Sequence, residues 1–63
     1  MIVKYLDREI ETQDAKKVKQ LIKNLNIIPS TVLVLKNGEI VDESDRINPL
    51  EDKIEIVRVI SGG

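Results

Sequence analysis

The stretch Thr31-Val32-Leu33-Val34-Leu35-Lys36-Asn37-Gly38-Glu39-Ile40-Val41 decides the architecture of this chain. It holds two runs rich in β-branched and aliphatic residues, separated by Asn-Gly. A two-residue type I′ turn needs positive φ at both central positions, which Asn and Gly tolerate best. Such a turn pairs Val34 with Val41 and Lys36 with Glu39. Strand side chains alternate between faces. Val32, Val34 and Val41 therefore share one face, and Leu33, Leu35 and Ile40 the other. Both faces are apolar, whereas a sheet covered on one side alone alternates apolar with polar.

Upstream of this hairpin, Ala15, Val18, Leu21, Ile22 and Leu25 recur at helical spacing and form one stripe. Lys16, Lys17, Lys19 and Lys23 fall on the solvent side. Thr12 or Asp14 is the expected N-cap, and Asn24, Asn26 and then Pro29 end the helix. Before it, Met1 to Leu6 reads as a strand, Asp7-Arg8 as a tight turn and Glu9 to Glu11 as a short return strand.

Downstream, Ile40 to Glu43 completes the hairpin. Ser44 to Lys53 is a polar connection in which Ile47 and Leu50 are expected to be buried pins and Pro49 excludes a regular ladder. Ile54 to Ile60 is the last strand, alternating Ile54, Ile56 and Ile60 with Val57 and Val59. The order is strand, strand, helix, strand, strand, strand. A single helix covers only one face of such a sheet. Residues 1–60 are expected to form one domain and residues 61–63 a flexible tail.

Composition narrows the function. The 63 residues include ten Lys plus Arg and eleven Asp plus Glu, for a net charge of -1. With no Cys and no His, disulfides, thiolate chemistry, His general bases and the usual zinc sites drop out. Ten Ile, seven Val and six Leu must supply the core alone. The lone aromatic residue, Tyr5, and a pI near 5.3 argue against nucleic-acid binding. No apolar run approaches the roughly 20 residues of a membrane span. No signal peptide opens the chain, so the expected compartment is the cytoplasm. So small a core leaves little room for an enclosed active site. A carrier, modifier or binding module is favoured over an enzyme.

Two features point to partners. The uncovered apolar sheet face either marks a docking surface or reflects β-propensity and the apolar surface usual for a small domain. The sequence also stops at Ser61-Gly62-Gly63, directly after a strand. Glycine suits a backbone that must enter a narrow space. A terminal Gly-Gly presents a bare carboxylate on a thin stalk, which an enzyme can thread beside ATP.

Three segments carry a family resemblance. They are Val18 to Leu25 for the helix, Val34 to Val41 for the hairpin, and Lys53 to Gly63 for the last strand and its Gly-Gly end. Together they resemble the ThiS/MoaD family of sulfur carriers over essentially the whole chain. The resemblance implies an α+β fold of the ubiquitin-like β-grasp type, a mixed sheet of four to five strands with one helix packed on one face. Glu51-Asp52-Lys53 departs from the Asp-Gly-Asp turn common before the last strand of that family, which implies a differently shaped loop.

The resemblance also implies chemistry. An adenylating enzyme of the ubiquitin-activating type would use ATP and Mg²⁺ to activate the Gly63 carboxylate. A sulfur donor enzyme would convert it to a thiocarboxylate. A sulfur-acceptor synthase would then take the sulfur into thiamine, a molybdopterin or tungsten cofactor, or tRNA. Gly63 is then the point of covalent attachment and Gly62 and Ser61 thread the partner. The chain is a covalent co-substrate, with no catalytic residue, bound cofactor or metal of its own. The outer sheet face, with Val57, Val59, Ile40, Leu33 and Leu35, would dock the partner enzymes. Two other readings stay open: a ubiquitin-like modifier conjugated through Gly63 to lysines, and a non-covalent β-grasp interaction module.

Charge is uneven along the chain. Residues 1–36 carry seven basic and four acidic groups, and residues 37–63 three and seven, giving +3 and -4. Asp42, Glu43, Asp45, Glu51 and Asp52 concentrate in the connection, where they either steer a basic partner or form a solvated loop.

Overall fold

The structure, a computed structural model, describes residues 1–59. Five strands and one α-helix follow in the order β1 (Ile2–Tyr5), β2 (Arg8–Glu11), α1 (Val18–Asn24), β3 (Val32–Lys36), β4 (Glu39–Val41) and β5 (Ile54–Arg58). A 3-10 turn at Pro29–Thr31 leads into β3. The sheet order is β2-β1-β5-β3-β4. β1 and β5 are parallel, and every other neighbouring pair is antiparallel. The strand that closes the chain thus lies at the centre of the sheet. One helix across a mixed five-stranded sheet of this order is the ubiquitin-like β-grasp, an α+β fold.

The Asn-Gly hairpin forms as its sequence dictates. Val34 pairs with Val41, Leu35 with Ile40 and Lys36 with Glu39. Asn37 and Gly38 have φ of 54° and 87°, the two positive values a type I′ turn requires.

The first hairpin turns one residue earlier than expected. Leu6 and Asp7 form the loop and Tyr5 pairs with Arg8, so β2 begins at Arg8. This register sets Ile10 opposite Val3, where a turn at Asp7-Arg8 would have set Thr12. Apolar pairing beside a fully buried Val3 favours the observed choice. Leu6 adopts a φ of 58° to make the turn, while its N–H bonds the Ile56 carbonyl at 2.8 Å.

The helix is shorter than its apolar stripe. Ala15 is fully buried yet precedes α1, which starts at Val18 after Lys17 in the cap position. Neither Thr12 nor Asp14 caps it. Asp14 pairs instead with the terminal amine at 2.9 Å, and the Thr12 carbonyl accepts from that amine at 2.8 Å. The first helical N–H groups find their acceptors across the chain. Val18 donates to the Asp45 carbonyl at 3.0 Å and Lys19 to that of Glu43 at 3.1 Å. A distant segment of backbone thus does what a local side chain was expected to do. At the other end, Asn26 takes a φ of 56°. Its N–H bonds the Lys23 carbonyl and that of Ile27 bonds Ile22, both at 3.1 Å, the paired bonds of a Schellman stop.

The core lies between α1 and one sheet face. It comprises Val3, Ala15, Val18, Leu21, Ile22, Val34, Ile47, Ile54 and Ile56. Ile47 pins the connection as expected, but Leu50 does not and is 89% exposed. Polar bonds place it there. Leu50 N–H donates to Asn48 Oδ1 at 3.0 Å, and Asn48 N–H donates to Asp52 Oδ2 at 2.7 Å. The turn at 48–52 is closed by these groups and carries Leu50 outward at its tip.

Candidate partner-binding surface

The face opposite α1 follows from strand register. Leu33 pairs with Val57 and Leu35 with Ile40. Their neighbours Val34, Ile54 and Ile56 are turned to the helix and buried. By alternation, Leu33, Leu35, Ile40 and Val57 stand on the side no helix covers. Val59 follows two residues beyond Val57, its N–H bonded to the Thr31 carbonyl at 2.9 Å. Ile40 is 66% exposed, Leu33 39% and Val59 37%. Leu35 and Val57 are half-buried. The five residues assigned from sequence to one docking face are therefore brought together.

A charged column borders this apolar area. Leu35 pairs with Glu55, Glu55 with Lys4, and Lys4 with Glu9. Lys4 Nζ lies 3.9 Å from Glu55 Oε2. An ion pair this exposed adds little stability; it sets a polar margin beside the apolar area. Beyond the column, Ile2 is 61% exposed and helps line a shallow groove of about 680 Å³ with Lys4, Glu9, Lys53 and Glu55. Sequence reasoning gave Ile2 no role. Its even parity with Lys4 was visible, but its neighbours on the face come from β1–β5 pairing across the length of the chain.

Two carboxylates of the connection are held in the ionised form. Asp52 titrates below its ordinary 3.8, chiefly because Asn48 N–H donates to it, then through Asn37 Nδ2 and the Lys36 charge. Asp42 is lowered by the hydroxyl and N–H of Ser44. Asp42 is exposed and Asp52 half-buried, and both shape the loop. Among the described residues no group of three or more His, Cys, Asp or Glu is arranged to hold a metal ion. Nor is any polar or charged residue buried.

Ser61, Gly62 and Gly63 lie outside the described residues, as does Ile60. β5 delivers the chain toward them from the centre of the sheet, past Val57 and Val59. Compared with known families, residues 2–63 match the model of the ThiS family, the Gly-Gly end included. The chain belongs to the ThiS family. As a ThiS-family protein it is a sulfur carrier, one of a group of small proteins that are generally not enzymes. Its partners in general terms are adenylating and sulfur-transfer enzymes. No helix among the described residues is long and apolar enough to cross a membrane.

Proposed function

We propose that this chain carries sulfur as a thiocarboxylate on Gly63. The adenylating partner joins a Gly63 carboxylate oxygen to the α-phosphorus of ATP, with Mg²⁺ neutralising phosphate charge, and pyrophosphate leaves. A sulfide nucleophile delivered by the donor enzyme attacks the acyl carbon. The bond to AMP breaks, AMP leaves, and the carbon keeps one oxygen and one sulfur. An acceptor synthase then takes the sulfur for a thiazole, a pterin dithiolene or a thiolated tRNA. The chain supplies no acid or base for these steps. Its glycines keep side-chain bulk away from the activated carbon, and its apolar face (Leu33, Leu35, Ile40, Val57 and Val59) docks the enzymes that act on the tail.

The observation that supports this reading is the family match running through Gly62-Gly63. The test is the intact mass after incubation with ATP, Mg²⁺, a sulfur source and an adenylating enzyme of the same cell. The expected result is replacement of one terminal oxygen by sulfur, absent when Gly63 is deleted. An unchanged mass with conjugates on target lysines would make the chain a ubiquitin-like modifier. An unchanged mass without conjugates, and full activity after loss of both glycines, would make it a non-covalent module.

A further inference from the structure

The tip of the β3–β4 hairpin holds a chemically reactive pair. The chain has four asparagines, and their successors differ. Asn24 precedes Leu25, Asn26 precedes Ile27, and Asn48 precedes Pro49, which has no N–H. Asn37 alone precedes glycine, whose nitrogen no side chain shields. Both residues of the pair are exposed, and a methyl group on Gly38 would meet nothing within 4 Å. An unshielded peptide nitrogen next to a carboxamide is the arrangement for deamidation. The Gly38 nitrogen attacks Asn37 Cγ, the Cγ–Nδ2 bond breaks, and the amide proton leaves with the carboxamide nitrogen as ammonia. Water then opens the five-membered imide at either carbonyl, leaving an aspartate or an isoaspartate at position 37.

The fold holds this pair back. With φ of 54° and 87° the two residues form a type I′ turn, in which ψ of the first is about 30°. That turns the Gly38 nitrogen away from the Asn37 Cβ, whereas ring closure needs the two eclipsed. Three bonds also fix Asn37 to the last turn before β5. Its N–H donates to the Lys53 carbonyl at 2.8 Å, its Nδ2 donates to Asp52 Oδ1 at 3.0 Å, and its Oδ1 accepts from Lys53 N–H at 2.9 Å. Asp52 is itself held, since its Oδ2 accepts from Asn48 N–H at 2.7 Å. Reaction therefore requires the carboxamide to leave Asp52 and Lys53 and the turn to rotate.

We infer that Asn37-Gly38 is a site of spontaneous deamidation, kept slow by the Asp52–Lys53 latch, whose product cannot restore that latch. An aspartate at position 37 has no N–H to give Asp52. It sets a second carboxylate in place of a donor that lay 3.0 Å from Asp52 Oδ1, where two negative charges oppose each other. An isoaspartate also adds a methylene to the main chain between Lys36 and Glu39, which pair directly across the turn. Asn37, Gly38, Asp52 and Lys53 all line the shallow groove beside Lys4 and Glu55. The reaction thus adds a negative charge at the margin of the outer sheet face, and it runs one way.

The experiment holds the full chain in mildly alkaline buffer and follows it by peptide mapping that separates aspartate from isoaspartate. Asn37 should convert ahead of Asn24, Asn26 and Asn48, and faster in urea than in the folded chain. Asp52→Ala should speed conversion of the folded chain roughly tenfold, the effect of losing one charge-assisted hydrogen bond. Asp42→Ala, which removes a carboxylate from the same connection without touching Asn37, should not. Conversion at Asn37 no faster than at the other asparagines would overturn the site. Equal rates in urea and in buffer, or equal acceleration in both variants, would overturn the latch. The product supplies a readout that does not depend on how well Asp52→Ala folds. Asn37→Asp should lower Tm, and adding Asp52→Asn, which exchanges donor and acceptor across the contact, should recover part of the loss. An Asn37→Asp chain as stable as its parent, or no recovery in the double variant, would count against the inference and sink it.

Discussion

Ile56 and Val57 are adjacent in β5, and their substitution should have opposite consequences. Ile56 is fully buried against α1, while Val57 faces away beside Leu33, itself 39% exposed. Truncating a buried Ile to Ala costs about 2–5 kcal/mol. A chain of 63 residues has a total stability of only about 3–9 kcal/mol, at roughly 0.05–0.15 kcal/mol per residue. Ile56→Ala therefore consumes much of the fold's stability and lowers Tm by at least roughly 10 °C. Val57→Lys lays its methylene stem along the outer face and keeps its ammonium in water. Its cost is about 1 kcal/mol or less, within the span of strand propensity. In a complex the same ammonium must be desolvated at the centre of an apolar contact, which should weaken binding roughly 30-fold or more. Thermal melts followed by circular dichroism, beside titrations with the adenylating partner, measure both quantities. An unfolded Val57→Lys, or one that binds normally, would refute the assignment of the outer face as the docking face. A harmless Ile56→Ala would refute the placement of the core.

Asn37 combines a φ of 54° with two side-chain bonds, from its Nδ2 to Asp52 Oδ1 and from Lys53 N–H to its Oδ1. Asn37→Ala should cost about 2–3 kcal/mol, while Asn37→Gly, which relieves the backbone, should cost less; urea melts of the two variants distinguish backbone from side-chain contributions. Acid should loosen the connection, because the folded-state pKa of Asp52 lies below its ordinary 3.8. Its contribution is complete above that value and is lost as pH falls through the lower folded pKa. Asp52→Asn should flatten the acid limb of a Tm-against-pH profile, and an unchanged limb would remove Asp52 from the loop's stability.

The parts legible in sequence were those fixed by neighbours along the chain. Asn37-Gly38 set the hairpin register, and with it the division between Val34 and Leu35; which of the two sides faces the helix came from the family resemblance and not from the turn. Lys16, Lys17, Lys19 and Lys23 lie exposed, as the helical stripe required. What escaped was decided at long range. The helix begins at Val18 because carbonyls of residues 43 and 45 receive its first N–H groups, an arrangement no cap motif announces. Leu50 looked like a core residue by type, but the Asn48 and Asp52 side chains close its turn and leave it in water. Leu6 occupies a backbone region usually left to Gly or Asn, because pairing Ile10 with Val3 outweighs the local preference. The Gly62-Gly63 end was legible as sequence, and the family match runs through it.

The parallel pairing of β1 with β5 has a mechanical consequence. Met1 and Val59 lie at opposite ends of these neighbouring strands, which meet at Val3–Ile54, Lys4–Glu55 and Tyr5–Ile56. Tension between the two ends slides one strand along the other and loads these rungs together, whereas a hairpin pulled at its open end unzips one rung at a time. A partner that pulls on the chain beyond Val59 while gripping the body near Met1 draws on the whole seam at once. The body thus resists such a pull as one unit.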